Sequence, residues 1–196
     1  MMKEWKDIWD MKGGLNTIDL DLMNGWHILP KIESKWLAEQ IIKTIEPKKD
    51  ERILDVGCGA GATAKYIAPL CKYVGIDYSE SLVKKHIKIL NNSVLVSEAN
   101  DIPFKDKYFD KTFAFSCFQY FPDKRYANQV IKEMQRVTKK LIFIGDVTFK
   151  NEDKNHLLYE YQDFPYYGKF SDGFYNKKRF NVVIDCGYRN NVEEDD

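Results

Sequence analysis

Apolar residues along this chain fall into short continuous runs, separated by segments in which they recur every three or four positions. The runs "RILDVGC" (52–58), "KYVGID" (72–77), "SVLVSEA" (93–99), "FDKTFAFSC" (109–117) and "KLIFIGDV" (140–147) have the length of buried strands. Between them, "ESKWLAEQIIKTI" (33–45), "GATAKYIAPL" (61–70), "SESLVKKHIKIL" (79–90) and "YANQVIKEMQRVT" (126–138) read as helices. In the first of these, Trp36, Leu37, Gln40, Ile41 and Thr44 or Ile45 share one face, and Pro47 ends it. Strands that alternate with helices and are apolar almost throughout predict an α/β fold: a doubly wound, mostly parallel sheet with helices on both faces. Such sheets bind ligands beyond the carboxyl ends of their strands. Candidate positions are therefore those just after Val56, Ile76, Val96, Phe115 and Ile144.

Two segments lie outside that rhythm. Residues 1–32 carry Trp5, Trp9, Trp26 and His27, and "YEYQDFPYYGKFSDGFY" (159–175) holds eight aromatics among Gly, Pro and Asp. Both read as caps, the second either as a lid over an apolar acceptor or as plain cover for a sheet face. "NKKRFNVVIDCGY" reads as a last helix stopped by Gly187, with Lys169, Lys177, Lys178 and Arg179 solvated at its approach, and a polar tail follows. The expected organisation is one domain: an N-terminal cap (1–32), a core (33–147), an aromatic-rich lid or acceptor region (148–180), and the last helix and tail (181–196).

Composition narrows the function classes. At 196 residues and 44% apolar content the chain can bury one substantial core. Thirty acids balance thirty bases, with no run of five like charges, which removes the electrostatic footprint of a nucleic-acid binder. The four cysteines form no C-x-x-C pair, so neither a disulfide framework nor a metal site is expected, and reduced thiols suit a cytoplasmic protein. "MMKEWKDIWDMKGG" has no apolar core region and "LIFI" is only strand-sized, so no membrane association is expected.

The chemistry concentrates in "ILDVGCGAGATAKYIAP". Gly57, Gly59 and Ala62 fit a dinucleotide-binding turn, and Asp77 follows twenty residues after Gly57. On those features alone a nicotinamide-dependent dehydrogenase stands open. Asp55, two residues before Gly57, changes the balance: a carboxylate there repels a pyrophosphate and favours a cation. S-adenosylmethionine carries two cationic groups, a sulfonium and an ammonium. Asp77 is placed to accept ribose hydroxyls. Glu98 and Ala99 end the third strand, where a carboxylate accepts from an adenine amino group and a backbone N–H serves the adjacent ring nitrogen.

With these residues in view, the chain resembles the class I S-adenosylmethionine-dependent methyltransferases, in particular the branch acting on small molecules. "ILDVGCGAGATAKYIA" resembles the family's first motif, "VGIDYSESLVKKH" its second, and "EANDIPFKDKYFD" its D-A-x-x-L-P-F stretch, with Glu98 in place of aspartate. "FSCFQYFPD" resembles the fourth-strand motif. The resemblance implies a Rossmann-like fold and cofactor contacts at Asp55, Gly57, Cys58, Gly59, Asp77, Tyr78, Glu98, Ala99, Ser116 and Gln119, the last two at the methionine end. It implies methyl transfer to a small-molecule acceptor with release of S-adenosylhomocysteine; a protein that binds these nucleosides without turnover is the second reading. His27 and Tyr120 are the catalytic candidates, and His86, on a helix with charged neighbours, reads as surface. Two departures stand out. No Pro-Gly-Gly turn precedes the fifth strand, so that connection should be shorter or differently shaped. Against the family's pattern the C-terminal β-hairpin is missing or truncated, which leaves the fifth strand's edge bare and suggests a homodimer through it.

Overall fold

The computed structural model describes residues 2–25, 33–149, 156–165 and 167–187. They form two compact units, residues 1–99 and 100–196, with seven strands among the described residues. Trp26 and His27 lie outside those residues.

The first unit contains α1 (Met2–Gly14), α2 (Leu20–Met23), α3 (Ser34–Ile45), β1 (Arg52–Val56), α4 (Ala64–Ile67), β2 (Lys72–Asp77), α5 (Glu80–Leu90) and β3 (Ser93–Val96). Its strands lie in the order β3-β2-β1, all parallel, with Val56 level with Ile76 and Asp77 level with Val96. That register brings the carboxyl ends of all three strands to one edge. Ile53, Leu54, Val56 and Ile76 are buried, each stabilising by roughly 2 kcal/mol.

The helices follow from capping and spacing. α5 starts where Ser79 Oγ accepts from the Leu82 N–H and stops at Asn91, whose left-handed φ of 54° lets its N–H close on the Ile87 carbonyl. α3 buries Leu37, Ala38, Ile41 and Ile45, whereas Trp36, expected on that face, is on the exposed side. At the N-terminus, Met23 joins Ala60 and Leu82 in a buried cluster packed by Trp9, Leu20 and Ile89. Lys85 Nζ donates to the Leu15 and Thr17 carbonyls, and Ser81 Oγ to the Asp10 carbonyl, so α5 carries the N-terminal helices.

The second unit contains β4 (Phe109–Phe115), α6 (Lys124–Val137), β5 (Thr138–Thr148), β6 (Lys169–Asp172) and β7 (Arg179–Asp185). The strands lie in the order β4-β5-β7-β6; β4 and β5 are parallel, and β7 is antiparallel to both β5 and β6. Asp123 caps α6 by accepting from the Tyr126 N–H, and Ala127, Val130, Ile131, Met134 and Val137 bury one face. α6 passes into β5 with no intervening residue, the short connection expected from the absent Pro-Gly-Gly turn.

The expected last helix is instead strand β7. Phe180, Val182 and Ile184 are buried in alternation, a period of two, and the β-branched run "VVI" packs better on a pleated surface than on a helix. The C-terminal hairpin that looked truncated is therefore present as β6 and β7. Because β7 pairs along β5 from Leu141 to Thr148, the β5 edge is covered and the argument for a homodimer through it falls. Arg179, expected in solvent, is largely buried against Asp146. Of the described aromatics of 159–175, Tyr159 and Phe164 are buried in the core, while Tyr161 is exposed. Tyr159 is 1% exposed and its hydroxyl donates to the Phe118 carbonyl, and Phe164 meets Phe180 edge to face at 5.6 Å.

Candidate functional site

In the first unit, the glycine turn after β1 is held from several sides. Gly57 and Cys58 donate to the Ile76 carbonyl, so the chain leaves β1 alongside the end of β2. Gly59 donates to Asp77 Oδ2 at 2.9 Å, and Asp77 Oδ1 accepts from the Ser79 N–H at 2.9 Å. Asp77 thus clamps the turn to the start of α5, with one lone pair left on each oxygen. Ala60 donates to Asn24 Oδ1 at 3.1 Å, which lays the end of α2 directly on the turn. A side chain at Gly59 is doubly excluded: its φ is +54°, and a Cβ would come within 2.5 Å of Asn24 Nδ2. Gly61, with φ +93°, rests on the His86 ring, where a Cβ would fall 2.8 Å from Cε1.

His86 is therefore not a surface residue: it is fully buried beneath the turn. Its Nδ1 donates to the Gly59 carbonyl at 3.1 Å and its Nε2 accepts from Asn92 Nδ2 at 3.1 Å, which is the neutral ring. Burial lowers its pKa to about 4. The charged neighbours that suggested exposure lie on the opposite face of α5.

Asp55 is equally buried, with Tyr73 Oη donating to its Oδ2 at 2.8 Å. Burial raises its pKa to about 7 against the lowering effect of that hydrogen bond, and Asp77 adds to the rise. Asp77 itself is raised to about 6, again by burial, against the two N–H groups it accepts from, with Asp10 and Glu98 adding to the rise. Asp10 reaches this group through Ser79 Oγ, which donates to its Oδ1. Cys58 is buried with its thiol pushed up, and its sulfur fills the space left by the missing side chain of Gly75. Tyr78 has Lys6 Nζ 5.9 Å over its ring.

The Asp55 shift gives a testable sign. A folded pKa of about 7 against 3.8 means the native state holds this proton more tightly than the unfolded chain. Asp55 therefore costs stability increasingly as pH rises from 3.8 to about 7, and the cost is constant above that. Asp55→Asn keeps an acceptor for Tyr73 and removes the charge. At pH 8 the variant is expected to be more stable by about 2 kcal/mol, roughly half the full linkage value because the new amide N–H groups need partners, and the gain should vanish near pH 4. Urea unfolding at the two pH values measures it, and a variant less stable at pH 8 contradicts it.

In the second unit, polar groups gather at the carboxyl ends of β4 and β5. Ser116 and Asp146 both have left-handed backbone, with φ of 56° and 61°. The Ser116 N–H donates to the Gly145 carbonyl at 3.0 Å, which ties the two ends together. Gln119 Nε2 donates to Ser116 Oγ at 2.9 Å and to its carbonyl at 3.1 Å. Asp146 Oδ2 accepts from Tyr175 Oη at 2.8 Å and Arg179 Nη1 at 2.9 Å. Burial raises the Asp146 pKa, opposed by Arg179, Ser116 and Tyr175. Tyr120 meets His156 edge to face at 5.3 Å.

The structure thus brings Asp55, Gly57, Cys58, Gly59 and Asp77 together around one turn, with Glu98 near enough to act on Asp77, and sets Ser116 and Gln119 side by side in the second unit. Sequence reasoning missed Asn24, Tyr73, Ser79, Asp146, Tyr175 and Arg179. A signal existed for Asp146 alone, an acid near the carboxyl end of the fifth strand, as Asp77 ends the second and Glu98 closely follows the third. None of the described residues form a cluster able to hold a metal ion, and no described helix is long and apolar enough to cross a membrane. All four cysteines are thiols.

Acids at successive strand ends and a glycine turn that leaves its backbone bare are features of an α/β fold of Rossmann-like type. Residues 54–142 match the family profile described as a methyltransferase domain. The chain carries the methyltransferase domain of the class I S-adenosylmethionine-dependent methyltransferases. It is 31% identical over 113 residues to a demethylmenaquinone methyltransferase of Thermotoga maritima, covering 56% of this chain and 48% of that one. It is also 31% identical over 149 residues to the chloroplastic tocopherol O-methyltransferase of Arabidopsis thaliana, covering 68% and 42% respectively. The chain thus spans less than half the length of either relative. Among solved structures it shares its fold with Haemonchus contortus phosphoethanolamine N-methyltransferase 1 in complex with phosphoethanolamine and S-adenosylhomocysteine. That match has a TM-score of 0.70 at 13% identity and covers 94% of this chain and 48% of that one.

Proposed function

We propose that the chain binds S-adenosylmethionine at the glycine turn and transfers its methyl group to a small organic acceptor in the cytoplasm, releasing S-adenosylhomocysteine. The observation that carries this reading is the Asp77 clamp. With its two oxygens fixed by Gly59 and Ser79, each keeps a lone pair for a ribose hydroxyl. The acids whose fields reach it, Asp10 and Glu98, suit a cofactor that is cationic at one end and donates from its hydroxyl and amino groups elsewhere. A pyrophosphate finds the opposite potential, which disfavours the dehydrogenase. The names of the relatives, which act on demethylmenaquinone and tocopherol, support a small-molecule acceptor.

Bound there, S-adenosylmethionine supplies a methyl already activated by its sulfonium. Gly57, Cys58 and Gly59 then offer bare backbone to the nucleoside and amino-acid parts. Asp77, Tyr78, Glu98 and Ala99 hold ribose and adenine, and Ser116 with Gln119 the methionine end. The protein's share of catalysis is alignment and exclusion of water, worth up to several powers of ten. Of the two catalytic candidates from the sequence, Tyr120 stands beside His156, while His27 lies outside the described residues.

Calorimetry with S-adenosylmethionine, S-adenosylhomocysteine and NAD side by side tests the reading. The expected result is binding of both sulfur nucleosides with dissociation constants on the order of micromolar and no heat with NAD. Silence for both sulfur nucleosides would falsify it.

A further inference from the structure

The N–H groups of the glycine turn from Gly57 to Gly61 are all engaged. Gly57 and Cys58 donate to the Ile76 carbonyl, Gly61 donates to the Cys58 carbonyl, and Gly59 donates to Asp77. The remaining one, on Ala60, is held by a side chain from outside the strand and turn: Asn24 Oδ1 accepts it at 3.1 Å across 36 residues of sequence. Glycine turns that hold a phosphate do so with such N–H groups. This stretch has none to give, and Asn24 occupies the last of them.

Contacts other than the Ala60 bond keep Asn24 at that point. Its own N–H closes α2 on the Leu20 carbonyl, and Asp19 caps the start of α2 by accepting from the Leu22 N–H. Gly25 follows with φ of 81°, and a Cβ on it would come 3.0 Å from Lys12 Nζ, so the chain after α2 lies tightly against α1. α1 in turn rests on α5, where a Cβ at Gly13 would collide with Ser81 Oγ and the Leu82 backbone. Asp10 gives α1 a second reach into the site: it accepts from Ser79 Oγ, the Ser79 N–H holds Asp77, and Asp77 holds Gly59. Adjacent N–H groups of the turn, on Gly59 and Ala60, are thus fixed from β2 and from α2. A turn ordered before its ligand arrives binds more tightly, because ordering no longer opposes association.

We propose that Asn24 is a positioning residue for the cofactor: by holding the Ala60 N–H it fixes the glycine turn in the form that receives a nucleoside with an uncharged link, and withholds that N–H from a phosphate. This rests on the reading of the turn as a S-adenosylmethionine site and adds the residue that tunes its choice of nucleotide. Asn24 acts through Ala60 and needs no contact with the cofactor. Its side-chain oxygen is the working part, since the backbone N–H that closes α2 is common to any residue at this position.

The test uses the full chain with S-adenosylhomocysteine and with ADP, which carries the same adenosine but a diphosphate in place of homocysteine. In Asn24→Ala the affinity for S-adenosylhomocysteine, measured by calorimetry, is expected to fall about tenfold. ADP, read by its displacement of S-adenosylhomocysteine, should lose nothing, so the ratio of the two dissociation constants shifts toward ADP by about tenfold. A merely structural loss would weaken both alike, because they share the adenosine. Asn24→Asp, which keeps an oxygen for the Ala60 N–H, should restore most of the affinity for S-adenosylhomocysteine. A ratio that stays put, ADP that displaces nothing from the alanine variant, or an aspartate variant no better than alanine overturns the assignment. Deuterium exchange without ligand reads the tether directly: the Ala60 amide should exchange faster in Asn24→Ala and stay protected in Asn24→Asp, and an unchanged rate in the alanine variant also overturns it. An unaltered chain that binds neither sulfur nucleoside overturns the cofactor reading and the role of Asn24 with it, and exchange at Ala60 tells that case apart from a tether that fails by itself.

Discussion

Asp77→Ala is expected to weaken S-adenosylmethionine binding at least about 100-fold, a loss near 3 kcal/mol. The size follows from three losses at once. The ribose hydroxyls lose their acceptor, the Gly59 N–H loses the bond that fixes the turn, and the Ser79 N–H loses the bond that anchors the start of α5. The turn then has to be ordered at the cofactor's expense, which lowers affinity beyond the contact itself. Asp77→Asn keeps one acceptor oxygen and should lose roughly tenfold. The wild-type affinity carries a pH signature of the same group. With a pKa of about 6, Asp77 protonates as pH falls below that value, so binding should weaken on the acid side and level off above pH 7. Calorimetry at several pH values checks both, with circular dichroism to confirm that the variant is folded. An alanine variant that binds within threefold of wild type removes Asp77 from the site.

Phe180→Ala is expected to destabilise the chain by about 4 kcal/mol, in the range for truncating a buried phenylalanine. Phe180 is 1% exposed and meets Tyr161 at 5.1 Å, Phe164 at 5.6 Å and Phe149 at 5.9 Å, all edge to face. It is also the residue through which β7 pairs with both Val147 of β5 and Asp172 of β6. Loss of its ring should therefore loosen the whole hairpin. Deuterium exchange at the β7 amides is expected to rise along with the drop in the urea midpoint. A loss under about 1 kcal/mol would mean that β6 and β7 are peripheral to stability.

The contrast between these two residues shows how much was legible in the sequence. Asp77 could be read directly, because a strand of buried residues ending in an acid, with a glycine turn at a fixed distance, is a local pattern. Asp55 and Glu98 were found in the same way, and the first three strands and α5 fall close to where periodicity put them. Phe180 was misread because "RFNVVID" is short enough to suit either period, and its charged approach resembled a helix start. What decided for a strand was the open edge of β5, dozens of residues upstream in sequence, whose backbone groups needed partners.

The same limit explains the site. His86 looked exposed from its neighbours, and only the approach of the glycine turn to within a few ångströms buries it. Asn24 sits 36 residues before Ala60, and no local spacing links them. Asp55 was read as a charge facing a ligand, whereas Tyr73 and burial turn it into a group that titrates near neutrality.

By itself, the sequence determined the alternation of strand and helix, the glycine turn, the acids at the strand ends and the family those features belong to, because each depends on neighbours a few residues away. Tertiary structure alone decided the strand identity of 179–185, the burial of His86 and Asp55, and the meeting of Ser116, Gln119, Asp146, Tyr175 and Arg179. Those depend on which surfaces of distant segments are removed from water together, and burial, unlike periodicity, is a property of the folded chain.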